Sequence, residues 1–243
     1  MATVTALTGI LVSAVVAAVL ALYLDVWSSS GAAPGTPGVS AQAEMWWDLS
    51  RDHRTVRADA SEGKRTNLGF NAPGGSSSMD SMIARGGVHA GYLRVRLILV
   101  NFSKAPAVVT SVRARVVRER PIPAGPTFRC GPQGSGEPSR VKLSLAQPRT
   151  PASEVDENGD VLGRYPVQRY QLAKQDDPGL FDIEVTAGAK AYDFVFEIEY
   201  QQGGRKKTVV ADDAGRSFTL APIPPETSRD YVCNPQLNAW TPT

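Results

Sequence analysis

The sequence predicts a mainly β protein, an antiparallel Ig-like β-sandwich preceded by one N-terminal transmembrane helix. Three observations carry this prediction. The first 24 residues hold no charged side chain. From Val88 onward, short runs alternate apolar and polar residues with a period of two, and Gly, Pro, Asn and Asp separate them. No run of helical periodicity reaches 12 residues after the first segment, so a doubly wound α/β fold, which needs a helix between successive strands, is excluded.

The apolar segment Thr3 to Leu24 is rich in Leu, Val, Ile and Ala. As a helix it reaches about 33 Å, enough to cross a hydrocarbon core of about 30 Å. Tyr23 and Trp27 stand where an aromatic belt would lie, with Asp25 between them on the water side. A cleaved signal peptide normally has a basic start and a shorter apolar run; this segment has neither. Residues 1–27 are therefore read as a signal anchor, with residues 3–24 in the bilayer. Small residues at Ser28–Ala33 leave cleavage, and hence a secreted soluble domain, as an alternative. The first basic residue is Arg51, so the positive-inside rule does not orient the span.

Residues 28–43 are Ser, Gly, Ala and Pro-rich and read as a flexible linker. Residues 44–243 form the predicted extracytoplasmic domain, ending in a Pro-rich tail. Trp46 and Trp47 open it, either as an interfacial anchor or as a first core element. Ser61 to Gly87 reads as a long loop with one helical turn.

The strands follow in order. Tyr92–Leu99 alternates Leu93, Val95, Leu97 and Leu99 against Tyr92, Arg94, Arg96 and Ile98. After the turn Asn101–Pro106, Ala107–Glu119 sets Val112, Ala114 and Val116 opposite Arg113, Arg115 and Val117. Arg140–Ala146, Val167–Leu172 and Phe181–Thr186 are further strands. Tyr192–Tyr200 places Tyr192, Phe194, Phe196, Ile198 and Tyr200 on one face, with Asp193, Glu197 and Glu199 on the other. Gly203-Gly204 permits the positive-φ turn of a tight hairpin, and Lys207–Ala211 pairs back. Asp213-Ala-Gly215 turns into Ser217–Leu220.

The run LRVRLILVNFSKAPAVVTSVRARVV and the later YDFVFEIEYQQGGRKKTVVADDAGRSF resemble a group of uncharacterised actinobacterial single-pass membrane proteins. Those proteins carry one membrane helix and an extracytoplasmic sandwich ending in a Gly-Gly-basic hairpin. The likeness covers about half the chain. It implies fold and compartment and supplies no catalytic residue.

Composition excludes several functions. The chain has 243 residues, 26 Lys+Arg, 24 Asp+Glu and a net charge of +2, which is no footprint for nucleic acid. His53, His89, Cys130 and Cys233 show no zinc-ligand spacing. Two cysteines outside the span predict a Cys130–Cys233 disulfide, closing a loop of about 100 residues in an oxidising compartment.

Several motifs carry weak chemistry. Asp156-x-Asn158-x-Asp160 opens like a calcium loop, but Val161 and Val167 stand where an EF-hand needs Gly and Glu. It reads as an Asn-Gly turn, and Asp176-Asp177 and Asp212-Asp213 are likewise read as turn residues. Ser61-x-x-Lys64 lacks the partner motifs of penicillin-interacting enzymes. His53 beside Asp48 or Asp52, or His89 with a distant carboxylate, are the candidate bases of a hidden enzyme site. Asn101-x-Ser103 is a glycosylation sequon at a strand end. Arg94, Arg96, Arg113, Arg115, Arg118 and Arg120 form a basic strip if their two strands pair; Asp193, Glu197 and Glu199 are its expected internal partners, and an anionic envelope polymer or lipid its external ones.

No catalytic, cofactor or metal site is predicted. The expected function is a non-enzymatic binding or scaffold module of the cell envelope, contacting the bilayer and a protein or envelope partner. An envelope hydrolase with a site assembled from distant residues is the alternative.

Overall fold

The computed structural model describes residues 38–46, 54–58, 76–131, 141–166, 170–172, 178–223, 230–234 and 239–242. The predicted membrane helix and most of the linker lie outside them. Among the described residues no helix is long and apolar enough to cross a membrane. The chain divides into two units, residues 1–37 and Gly38–Thr243.

The second unit is mainly β, built on two sheets. The first has six strands in the order β1 (Val39–Met45), β4 (Tyr92–Asn101), β11 (Gly179–Thr186), β7 (Val141–Ser144), β8 (Ser153–Val155) and β9 (Val161–Arg164). The second begins β10 (Tyr170–Leu172), β5 (Ala107–Arg120), β12 (Ala191–Gln202) and β14 (Phe218–Ala221). It continues through β3 (Val88–Ala90), β2 (Arg54–Arg57), β6 (Thr127–Cys130), β15 (Asp230–Asn234) and β16 (Ala239–Pro242). β13 (Arg205–Ala211) pairs with β12 beside β14.

Alternation explains why the sheets share a core. The buried faces of β4 (Leu93, Val95, Leu97, Leu99) and β11 (Phe181, Ile183, Val185) meet those of β5 (Val109, Val112, Ala114) and β12 (Phe194, Phe196, Ile198). Phe194, Phe196 and Phe218 form a ring cluster with centroids 5.6 Å apart. A smaller core lies further along the second sheet. There the helix α1 (Ser76–Ala84) buries Met79 and Met82 against Val56, Phe128 and Cys130. α1 ends in a Schellman motif, with Gly87 N–H bonded to Met82 C=O at 2.9 Å and Gly86 N–H to Ile83 C=O at 3.0 Å.

Three expectations are corrected, and one open condition is not met. The sheets are mixed rather than purely antiparallel, because β7–β11, β3–β14 and β6–β15 pair in parallel. Each parallel pair is joined by a long connection through other elements, as parallel pairing requires. The linker reading of residues 28–43 runs too far, since β1 occupies Val39–Met45 and buries Val39 and Ala43. Small residues at alternate positions resemble a linker in composition while packing as a strand. The loop expected over 61–87 contains the nine-residue helix α1. Finally, β4 and β5 do not pair; the segment Phe102–Pro106 carries the chain from one sheet to the other.

The Gly203-Gly204 hairpin forms as expected, with φ of +56° and +77°. The turn at Asp213–Arg216 behaves differently. β13 and β14 both run antiparallel to β12 along the same edge, and residues between them loop out and return.

Candidate functional site

Among the described residues, the outer face of the β5–β12–β13 ladder carries the densest arrangement of ion pairs. It follows from period-two alternation: inward positions of β12 are aromatic or aliphatic, so Asp193, Glu197 and Glu199 point outward. Register then sets Arg118 opposite Asp193 and Arg113 opposite Glu197. A bulge at Val117 adds one residue to β5 and aims Arg118 and Arg120 at one carboxylate.

Arg113 contacts Glu197 at 2.9 Å and Glu199 at 3.1 Å, and Arg115 reaches Glu197 at 2.8 Å. Asp193 takes Arg118 at 2.6 Å and Arg120 at 3.0 Å. Lys206, from β13, lies 2.8 Å from Glu199. Its hydrogen bond holds the Glu199 carboxyl below the usual range, against the burial that pushes it up; Arg113 adds to the lowering. The expected internal pairing is therefore present for the arginines of β5. Arg96 belongs to the other sheet. It forms a two-point pair with Asp182 on β11, at 2.7 and 3.0 Å, and its guanidinium lies 4.8 Å from the Trp46 ring centre. Arg94 is likewise on β4, so the six arginines do not form one strip.

Cys130 and Cys233 are joined as expected, with Cα atoms 5.1 Å apart. The bridge fixes β15 beside β6. Phe128 stacks on Tyr231 at 5.0 Å and meets Trp240 edge-on at 5.1 Å in the same core. Little in the sequence marked this aromatic cluster, because its three strands are short and Phe128 lies far along the chain from Tyr231 and Trp240.

His89 is fully buried on β3, between Val56 of β2 and Leu220 of β14. Val56 belongs to the small core and Leu220 to the main one, so the imidazole stands where the two meet. Burial first, and the nearby Arg54 guanidinium second, push its pKa down to about 3. A neutral imidazole buried in a sheet is not placed to meet a substrate. His53, Asp48, Asp52, Ser61, Lys64, Asp176 and Asp177 lie outside the described residues.

The remaining motifs resolve as structure. Asp156 Oδ1 accepts the backbone N–H of Asn158 at 2.9 Å and of Asp160 at 2.8 Å, an Asx turn. Asp212 Oδ1 likewise accepts Gly215 N–H at 2.8 Å. Asn101 is buried; its amide donates to Ala105 and Leu172 carbonyls at 2.9 and 3.2 Å, and Gln202 donates to its oxygen at 3.0 Å. A side chain so engaged ties β4, β10 and β12 together and does not present itself to a glycosyltransferase. Among the described residues no three His, Cys, Asp or Glu side chains cluster to hold a metal ion.

No protein-family model and no curated protein matches the chain.

Proposed function

We propose that the chain is a single-pass membrane protein whose β domain is an extracytoplasmic, Ig-like sandwich acting as a binding or scaffold module of the cell envelope. The observation that carries this reading is the Cys130–Cys233 disulfide, which pairs both cysteines of the chain. Such bridges persist in oxidising compartments. The charge-free apolar run over residues 3–24 supplies the anchor, as in the actinobacterial proteins that the chain resembles. The dominant surface feature is a ladder of ion pairs, which suits recognition better than bond-breaking chemistry.

The test is made on intact cells. A membrane-impermeant protease is expected to remove the domain from cells while the apolar segment stays with the membrane fraction. Non-reducing peptide mapping is expected to recover the Cys130–Cys233 peptide. A domain that resists protease until the cells are lysed, with free thiols at both cysteines, would overturn the reading. Recovery of the mature chain from the medium, starting within Ser28–Ala33, would replace the anchor with a cleaved signal.

A further inference from the structure

The geometry points to the open side of β5 as a docking edge for an acidic, extended segment of a partner protein, which joins the sheet as one more strand. The inference rests on the binding-module reading above and names its surface and the chemistry of its partner.

β12 pairs with β5 along its whole length, from Ala107 to Arg120. On the opposite side β10 covers only Ala107–Val109. Beyond that, among the described residues, one backbone bond meets this side: Ala152 N–H to Val112 C=O at 2.8 Å. Strand alternation turns the backbone groups of Val116 the same way as those of Val112; Ala114, between them, is buried. From Val116 to Arg120, where Val117, Arg118 and Glu119 are exposed, no described strand pairs here. An edge of this kind is a template for strand addition.

Charge selects the occupant. The carboxylates of the ladder are sunk, with Asp193, Glu199 and Glu197 side chains 8%, 9% and 18% exposed. The cations stand above them: Arg115 is 49% exposed, Lys206 64% and Arg118 66%. Five cations face three carboxylates, so an approaching segment meets net positive charge. A second copy of β5 carries four arginines from Arg113 to Arg120 against one carboxylate, Glu119, so it adds mainly like charge, which disfavours a strand pair. An acidic strand gains where the second copy loses, which is how a charged edge rejects one partner and admits another. A polyanion would use the arginines but neither the edge amides nor the exposed Val117 beside them.

The experiment uses the full chain in detergent micelles. The probe is a fluorescent eight-residue peptide with Glu at alternate positions and Val or Thr between. It is expected to bind at least about tenfold more tightly than the same peptide with Lys for Glu. N-methylation of its alternate amides is expected to weaken binding by about tenfold, a result that needs no change in the protein. Arg115→Gln with Arg118→Gln is expected to weaken it similarly while circular dichroism stays unchanged. Equal binding of the Lys peptide, or indifference to N-methylation, would overturn the proposal. So would tighter binding of inorganic polyphosphate than of the peptide, or concentration-dependent dimerisation without peptide binding. A photocrosslinker at Val117 or Val161 in native membranes separates this failure from failure of the underlying reading. Adducts at Val117 that the acidic peptide competes away support the edge. Adducts at Val161 alone overturn the edge and leave a binding module; adducts at neither overturn both.

Discussion

Cys130, at the end of β6, is bonded to Cys233 in β15 across 103 residues of chain, and the two strands are also parallel neighbours. The covalent link and the short ladder act on the same place. β15 makes only three residue pairs with β6, from Asp230 to Val232. A ladder that short holds a strand weakly by itself, and the bridge limits how far it can separate when it opens.

Replacing both cysteines, Cys130→Ser with Cys233→Ser, is therefore expected to cost about 3–5 kcal/mol, chiefly by freeing the unfolded chain. The urea midpoint reports the loss. Hydrogen exchange locates it: amides of β15 and β16 are expected to exchange faster than those of β4 and β12. An unchanged midpoint would mean that the bridge restricts the unfolded chain little, and unchanged exchange in β15 and β16 that the aromatic contacts of Phe128, Tyr231 and Trp240 hold the tail unaided.

Stability should fall with acidity through His89. Folded, its imidazole is held neutral down to about pH 3; unfolded, it returns to about 6.5. Between those values the unfolded chain binds a proton that the native chain refuses, so stability rises with pH across this window. The slope approaches ~1.4 kcal/mol per pH unit for a single group. Glu199, whose folded pKa is lowered from 4.5, adds loss only below about that pH. Thermal melts between pH 5 and 7 thus fall outside the range in which Glu199 contributes. His89→Leu is expected to flatten the curve there, and a slope that survives the substitution would place the titration elsewhere.

How much of this was legible depends on strand length. β4, β5, β11 and β12 are long enough for alternation to show both faces, and their inward residues pack in the core; in β12 the other face is buried too, at Asp193, Val195 and Glu199. β2, β3 and β6 have three or four residues each, too few for a period, and their burial comes from neighbours far away in sequence. α1 shows only Met79, Met82 and Ile83 at helical spacing, within a Ser and Gly-rich stretch. The arginine–carboxylate ladder was readable because outward residues of β12 are acidic. Alternation tells which residues face inward, but not which strand lies alongside. A five-residue turn such as Phe102–Pro106 serves equally for a hairpin or for a crossing between sheets. That ambiguity separates Arg96 from Arg113.

Within the ladder, burial should outweigh distance. Asp193 lies 2.6 Å from Arg118 and 3.0 Å from Arg120. Arg118 is 66% exposed, whereas Arg120 is 23% exposed. Water screens the shorter contact more. Double-mutant cycles with Asp193→Asn are expected to give a larger coupling to Arg120→Gln than to Arg118→Gln. The exposed pair should be worth less than about 1 kcal/mol, and the sheltered pair about 1–2 kcal/mol. Coupling that followed distance would show that the solvent around Arg118 screens little.

Two adjacent glycines at the end of α1 should respond differently to alanine. Gly86 has φ of +97°, but a methyl group there meets nothing within 4 Å. Gly86→Ala therefore pays only for a left-handed backbone, about 1 kcal/mol. Gly87 carries the steric constraint. A Cβ on it would stand 2.8 Å from the Met82 carbonyl oxygen and 3.1 Å from that of Arg57. Both are backbone atoms, so neither can swing aside as a side chain would. The Met82 oxygen is also the acceptor of the Gly87 N–H, so relief of the clash lengthens the bond that closes the helix. Met82 is buried in the small core, and Arg57 lies in β2, which pairs with β6. Displacement therefore spreads into both. Gly87→Ala is expected to cost about 2–3 kcal/mol, more than Gly86→Ala, in denaturant unfolding of the two single variants. The opposite order would mean that the helix end shifts freely over β2, and that α1 is only loosely seated on the second sheet.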